Sequence, residues 1–106
     1  MGNVTEIESE KEFEDFTKKG LVLIDFFADW CGPCVMMAPV IDELSVKFKG
    51  KIKFGKVNVD NNQKLAGKFK VFSIPNFVLF KDGEVKDKFV GMMSSEDFEE
   101  RLKESL

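Results

Sequence analysis

Two cysteines stand three residues apart in Trp30-Cys31-Gly32-Pro33-Cys34. Residues at that spacing on a helix have β-carbons about 5–6 Å apart, near enough for their sulfurs to bond after a small adjustment. The ring so closed is tiny and worth ~2 kcal/mol of loop entropy, so the bond is a poor staple but one that opens and closes locally. Where a strand yields to a helix, Cys31 meets unpaired N–H groups and the positive end of the helix dipole, which favour its thiolate. We therefore read Cys31 as a nucleophile, and Cys34, a turn deeper and more shielded, as the thiol that resolves it. Gly32 lets another backbone approach the sulfur, and Pro33 suits a first helical turn, where its missing N–H would be unpaired anyway. The competing reading is half of a metal site shared by two chains, or an inert structural pair. A CxxC beside a βαβ pattern argues for redox use.

Asp25 is the second chemical signal. It interrupts the apolar run LVLIDFFA, where a carboxylate is costly to ionise and its pKa is expected to rise. On a regular strand Lys56 shares a face with Ile52 and Phe54, and an ammonium there wants a counter-charge, for which Asp25 is the natural partner. The alternatives are a satisfied buried polar pair, or a lysine that only snorkels to solvent.

The elements that must position these residues follow from local pattern. A short strand near Val4–Ile7 precedes a helix opened by the capping box Ser9/Glu12, carrying Phe13 and Phe16 and closed by Lys18, Lys19 and Gly20. LVLIDFFA reads as a central strand covered on both faces. Cys31 to Lys49 reads as a helix with Ala38, Ile41, Leu44 and Phe48 on its apolar stripe, stopped by Gly50 and kinked at Pro39. Ile52–Val59 is a strand, and Asp60-Asn61-Asn62 caps a short helix bearing Leu65 and Phe69. Phe77–Phe80 and Glu84–Val90 flank the hairpin signal Lys81-Asp82-Gly83. Ser94, with Asp97 three residues on, opens a last helix with Phe98, Leu102 and Leu106 on one stripe. The order βαβαβαββα predicts an α/β fold, a mixed central sheet with helices on both faces, parallel early and antiparallel at the final pair.

Composition narrows the chemistry further. The 106 residues suit one domain spanning 1–106. Sixteen Lys and Arg against nineteen Asp and Glu leave a net charge of -3 with mixed signs, so no basic field invites nucleic acid. Without histidine the chain supplies no imidazole acid, base or metal ligand, and two cysteines alone fall short of a structural zinc set. The acidic start MGNVTEIESEKEFEDF lacks the pattern of a signal peptide, and no apolar run approaches the ~20 residues that span a bilayer. A cytoplasmic protein with no membrane or metal association is expected.

WCGPC after LVLIDFFAD, the strand end KVNVD, SIP ahead of FVLF, the KDG turn and the FVG beyond it resemble the thioredoxin family from about Leu21 to Gly91. The flanking helices also fall where that family has them. The resemblance implies the thioredoxin fold and a dithiol–disulfide oxidoreductase that uses no cofactor, acting as a monomer on disulfide-containing target proteins and recharged by a separate reductase. It places Asp25 and Lys56 beneath Cys34, where the carboxylate takes a proton through water while Lys56 modulates its charge. It implies a cis bond before Pro75, which by sequence alone reads as strand punctuation, and lays Ile74 alongside the cysteines to pair with an extended target. The implied target surface is Trp30, Gly32, Ile74, Pro75, Gly91 and Met92; Trp30 reads alternatively as a packing aromatic and Met92 as core at a helix start. Val35 stands where the family commonly has a basic residue, Phe27 for Trp, Ser73 for Gly and Asn76 for Thr, departures that bear on potential and partner choice rather than on the dithiol. The rivals are a binding subunit that uses Trp30, Pro75 and Met92 without turnover, and an oxidase or isomerase, disfavoured by Pro33 where more oxidising relatives often carry His.

Overall fold

A computed structural model describes residues 2–106. In chain order it has β1 (Val4–Glu6), α1 (Glu10–Thr17), β2 (Leu21–Phe27), α2 (Gly32–Lys47), β3 (Ile52–Asn58), α3 (Gln63–Lys68), β4 (Asn76–Lys81), β5 (Glu84–Val90) and α4 (Ser95–Lys103). The expected βαβαβαββα order holds. The strands form one sheet in the order β1-β3-β2-β4-β5. β1 and β2 run parallel to β3, β4 runs antiparallel to β2, and β5 antiparallel to β4.

Each face of that sheet carries its own apolar layer. On one, Leu23, Phe54, Phe77, Leu79 and Phe89 pack against Met37, Ile41 and Leu44 of α2 and Phe98 and Leu102 of α4. On the other, Val22, Ile24, Phe26, Val57, Val78 and Phe80 pack against Phe13 of α1 and Leu65 of α3. β2 supplies both layers by simple alternation, and Val22 through Phe26 are all buried. Phenylalanine does much of the filling: Phe98 meets Phe77 and Phe89 edge-on, with ring centroids 4.9 Å apart in each pair.

Local signals set the boundaries. Ser9 Oγ accepts the Glu12 N–H at 3.1 Å and Ser94 Oγ the Asp97 N–H at 3.1 Å, as their spacing predicts. The box at Ser9 is displaced by one residue, because the Glu12 carboxylate accepts from the N–H of Glu8 rather than that of Ser9. The hairpin turns on Asp82 and Gly83 at φ +50 and +88, the left-handed pair that matches strand twist, and Asp82 Oδ1 accepts the Gly20 N–H at 2.8 Å.

Three expectations need correction. The buried stripe of α2 runs Cys34, Met37, Ile41, Leu44, Phe48, with Met37 in the place expected for the exposed Ala38. α2 is apolar on nearly every side, so several phases fit its sequence and only packing against the sheet chooses among them. Leu106 lies beyond the end of α4 and is exposed, since the helix stops before the stripe reaches it. Asn62 makes no side-chain cap to α3; its amide donates instead to the Asn58 carbonyl at 3.0 Å, where a closer acceptor is available.

Phe98→Ala should remove the ring common to both edge-on pairs and lower stability by about 3–5 kcal/mol. A urea melt would show this as a lower midpoint at unchanged slope.

Candidate active site

β2 ends at Phe27, and three residues later the chain enters the turn that begins α2. The first helix residue is Gly32, so Cys31 is the cap: its backbone is extended, and its Sγ accepts the Cys34 N–H at 3.2 Å. A sulfur thus occupies the place a serine or aspartate oxygen takes at other helix starts, and the orphan donors of the first turn point at it. Pro33 sits in that first turn as expected. Cys31 and Cys34 are joined by a disulfide with Cα atoms 5.2 Å apart.

Both cysteines are equally buried, 5% exposed each, contrary to the expectation that Cys34 is the more shielded. What separates them is their surroundings. Cys31 Sγ lies 3.9 Å from the carbonyl oxygen of Ile74, on the loop before β4, where the Ile74–Pro75 bond is cis as the resemblance implied. Cys34 lines a pocket of about 210 Å³ together with Asp25, Phe27, Ala28, Asp29, Val35, Ala38 and Lys56. One sulfur neighbours a backbone acceptor, the other a cavity with a carboxyl group in its wall.

Asp25 pairs in register with Lys56 on β3 and Phe77 on β4, so its side chain shares a face with both. It is 6% exposed, and its Oδ1 is buried with no hydrogen-bond partner among the described residues. Desolvation lifts its pKa from the ordinary 3.8 to about 7, while the charge of Lys56 pulls the other way. The two were expected as partners and are strand neighbours, yet no contact of ion-pair length joins them among the described residues; Lys56 Nζ lies 5.4 Å from the centre of the Phe27 ring. Lys56 is half-buried and lines the same pocket.

The remaining site residues divide by exposure. Trp30 is 71% exposed, and its indole Nε1 donates to Asp60 Oδ2 at 2.8 Å. Its exposure sets aside the packing alternative, and the bond to Asp60 tethers the ring at the surface. Ile74 is half-buried and Pro75 buried. Gly91, at φ +94, donates its N–H to the Pro75 carbonyl at 2.9 Å and so fastens the end of β5 to the same loop. Met92 follows it, exposed. Trp30, Ile74, Pro75, Gly91 and Met92 therefore belong to segments that meet at one end of the sheet. Asp60 was read from sequence only as part of a helix cap; its place at the end of KVNVD was the available signal, and its indole partner lies thirty residues away.

Among the described residues no three His, Cys, Asp or Glu side chains cluster as a metal site would need, and no helix is long and apolar enough to cross a membrane.

The family model described as Thioredoxin matches residues 4–104. The chain is 44% identical over 98 residues to a thioredoxin of Staphylococcus saprophyticus, covering 92% of this chain and 94% of that one. Among solved structures it resembles a variant of the thioredoxin from Halobacterium salinarum, with TM-score 0.88 and 33% identity over 98% of this chain and 93% of that one. The thioredoxin of Malassezia sympodialis is similar at TM-score 0.89 and 33% identity, over 98% and 91%.

The raised pKa of Asp25 has a pH signature. Between pH 3.8 and about 7 the folded carboxyl keeps a proton that the unfolded chain has lost, so stability falls as pH rises through that window. Asp25→Asn should abolish this slope and leave the oxidised variant more stable than the wild type near pH 8 by something on the order of 2–4 kcal/mol. Urea melts at pH 4, 6 and 8 test it; parallel pH dependences in the two proteins would mean the carboxyl is not desolvated.

Proposed function

The chain belongs to the thioredoxin family and is a thiol–disulfide oxidoreductase, and on that premise we propose how its own residues divide the work. Reduced Cys31 is the nucleophile. Its thiolate attacks one sulfur of a target disulfide, forming a mixed disulfide, and the target's other sulfur leaves as a thiolate. Cys34 then gives up its proton and attacks Cys31 Sγ, restoring the Cys31–Cys34 disulfide and releasing the second target sulfur. Two electrons pass from the dithiol to the target.

The observation that carries this reading is the asymmetry around the two sulfurs. Cys31 caps α2 and accepts the Cys34 N–H, an interaction that becomes stronger when the sulfur is charged. Cys34 lines the pocket that Asp25 also lines, and a carboxyl with pKa about 7 is matched to exchanging a proton at neutral pH. Lys56 at the pocket wall favours the ionised carboxylate and so tunes how readily it accepts. Trp30, Gly32, Pro33, Ile74, Pro75, Gly91 and Met92 form the surface on which a target chain lies, with the Ile74 carbonyl oxygen 3.9 Å from the attacking sulfur.

The partners that suit this chemistry are disulfide-containing proteins and a thioredoxin reductase that returns the electrons. We place the protein in the cytoplasm, where a dithiol is kept reduced, and read it as one domain and as a monomer without an organic cofactor.

Cys34→Ser should accumulate covalent complexes through Cys31, because the first attack survives and the second cannot occur. Cys31→Ser should trap nothing. Non-reducing gels of both variants incubated with oxidised target protein decide it, and adducts carried on Cys34 would reverse the roles. Asp25→Asn should slow the resolving step about 10–100-fold at pH 7 while changing the first attack little. Single-turnover reduction of a model disulfide separates the two steps.

A further inference from the structure

Of the chain's twelve phenylalanines, eleven are buried or half-buried. Phe72 is 85% exposed, more than any other large apolar residue described. An isolated exposed apolar side chain is ordinary, so exposure alone carries little. Two observations give Phe72 more weight.

The first is that its loop is held. At the end of α3 the Val71 N–H donates to the Ala66 carbonyl at 2.8 Å. Lys88 reaches across from β5, its Nζ donating to the Phe69 carbonyl at 2.6 Å and to that of Lys70 at 3.5 Å. Lys70 itself takes a left-handed φ of +56. Val71 and Phe69 pack on the α1/α3 layer, so the residue between Val71 and the active-site loop is turned outward by a fixed backbone. The second is continuity with the sulfur. Phe72 is two residues ahead of Ile74, whose carbonyl lies 3.9 Å from Cys31 Sγ, so the ring stands on the same short segment that borders the sulfur.

We propose that Phe72 is a specificity-determining residue that receives an apolar side chain of the target protein beside the target's reacting cysteine. The proposal rests on the thiol-exchange reading above and extends the surface of Trp30 and Met92 beyond Ile74. The occupant is a target segment rather than a second copy of this chain, on grounds of area. One ring falls far below the ~800 Å² per partner that a stable interface needs, yet it suffices where a mixed disulfide already tethers the target and makes further contacts intramolecular. The contact forms as the target docks and persists in the mixed disulfide, so it discriminates between targets through binding and acts on KM more than on kcat.

The test uses two cyclic disulfide peptides that differ only in Leu or Ser beside the reacting cysteine, with a small aryl disulfide, dithiobis-nitrobenzoate, as a probe that reaches no further than the sulfur. The wild type should prefer the Leu peptide about tenfold in kcat/KM, mainly through KM. Phe72→Ser should erase that preference, Phe72→Leu should keep most of it, and all three proteins should reduce the aryl disulfide at one rate. An undiminished preference in Phe72→Ser would overturn the proposal. So would a matching loss on the aryl disulfide, which would make Phe72 a prop for the loop, or a concentration-dependent dimer that Phe72→Ser abolishes. A wild type that reduces none of the three disulfides would instead sink the thiol-exchange reading on which the proposal stands.

Discussion

β2 has apolar cover on both faces and a hydrogen-bonding neighbour along both edges, β3 on one side and β4 on the other. A strand held on four sides cannot shift register without turning its whole apolar set the wrong way. This fixes the start of α2, because only four residues separate Phe27 from Gly32. It also fixes Asp25, which cannot swing out of the apolar layer to find water. The redox centre is thus an attachment to the most constrained part of the molecule, and its two sulfurs inherit their positions from a strand that contains neither of them.

The same constraint sets the acidity of the carboxyl. A mobile surface aspartate near Cys34 would be ionised throughout the neutral range and would hold a proton poorly. Asp25 is desolvated by burial and only partly compensated by Lys56, which leans on Phe27 instead of closing an ion pair. A tight pair would restore the carboxylate to its ordinary acidity, whereas a looser one leaves it able to change charge near neutrality. The unpartnered Oδ1 is a cost to folding that coexists with this capacity.

What could be read from the sequence was what depends on near neighbours or on strict periodicity. Ser94 and the Asp82-Gly83 turn act within a few residues, and their assignments hold. The Asp25–Lys56 juxtaposition follows from the period of two on adjacent strands, and the register confirms it. What escaped depends on distant partners. α2 is apolar on nearly all sides, so its burial phase could not be told from spacing, and Met37 displaced Ala38. The bond from Trp30 to Asp60 spans thirty residues, and the clamp from Lys88 onto the end of α3 nearly twenty. Pro75 was ambiguous until the family pattern spoke for a cis bond. Equal burial of the two cysteines was missed because depth along a helix says nothing of the loops folded over its first turn.

The sheet has two open margins, and their make-up decides what a visiting polypeptide meets there. β1 is only three residues long, too short to template much pairing. β5 is longer, but Lys86 and Lys88 lie along it and the ladder it makes with β4 is irregular between Leu79 and Phe80. Short length, lysine and a local bulge are the features by which natural edge strands resist recruiting foreign strands. A polypeptide that reaches the cysteines at the end of the sheet is therefore offered no ready edge to join as a further strand.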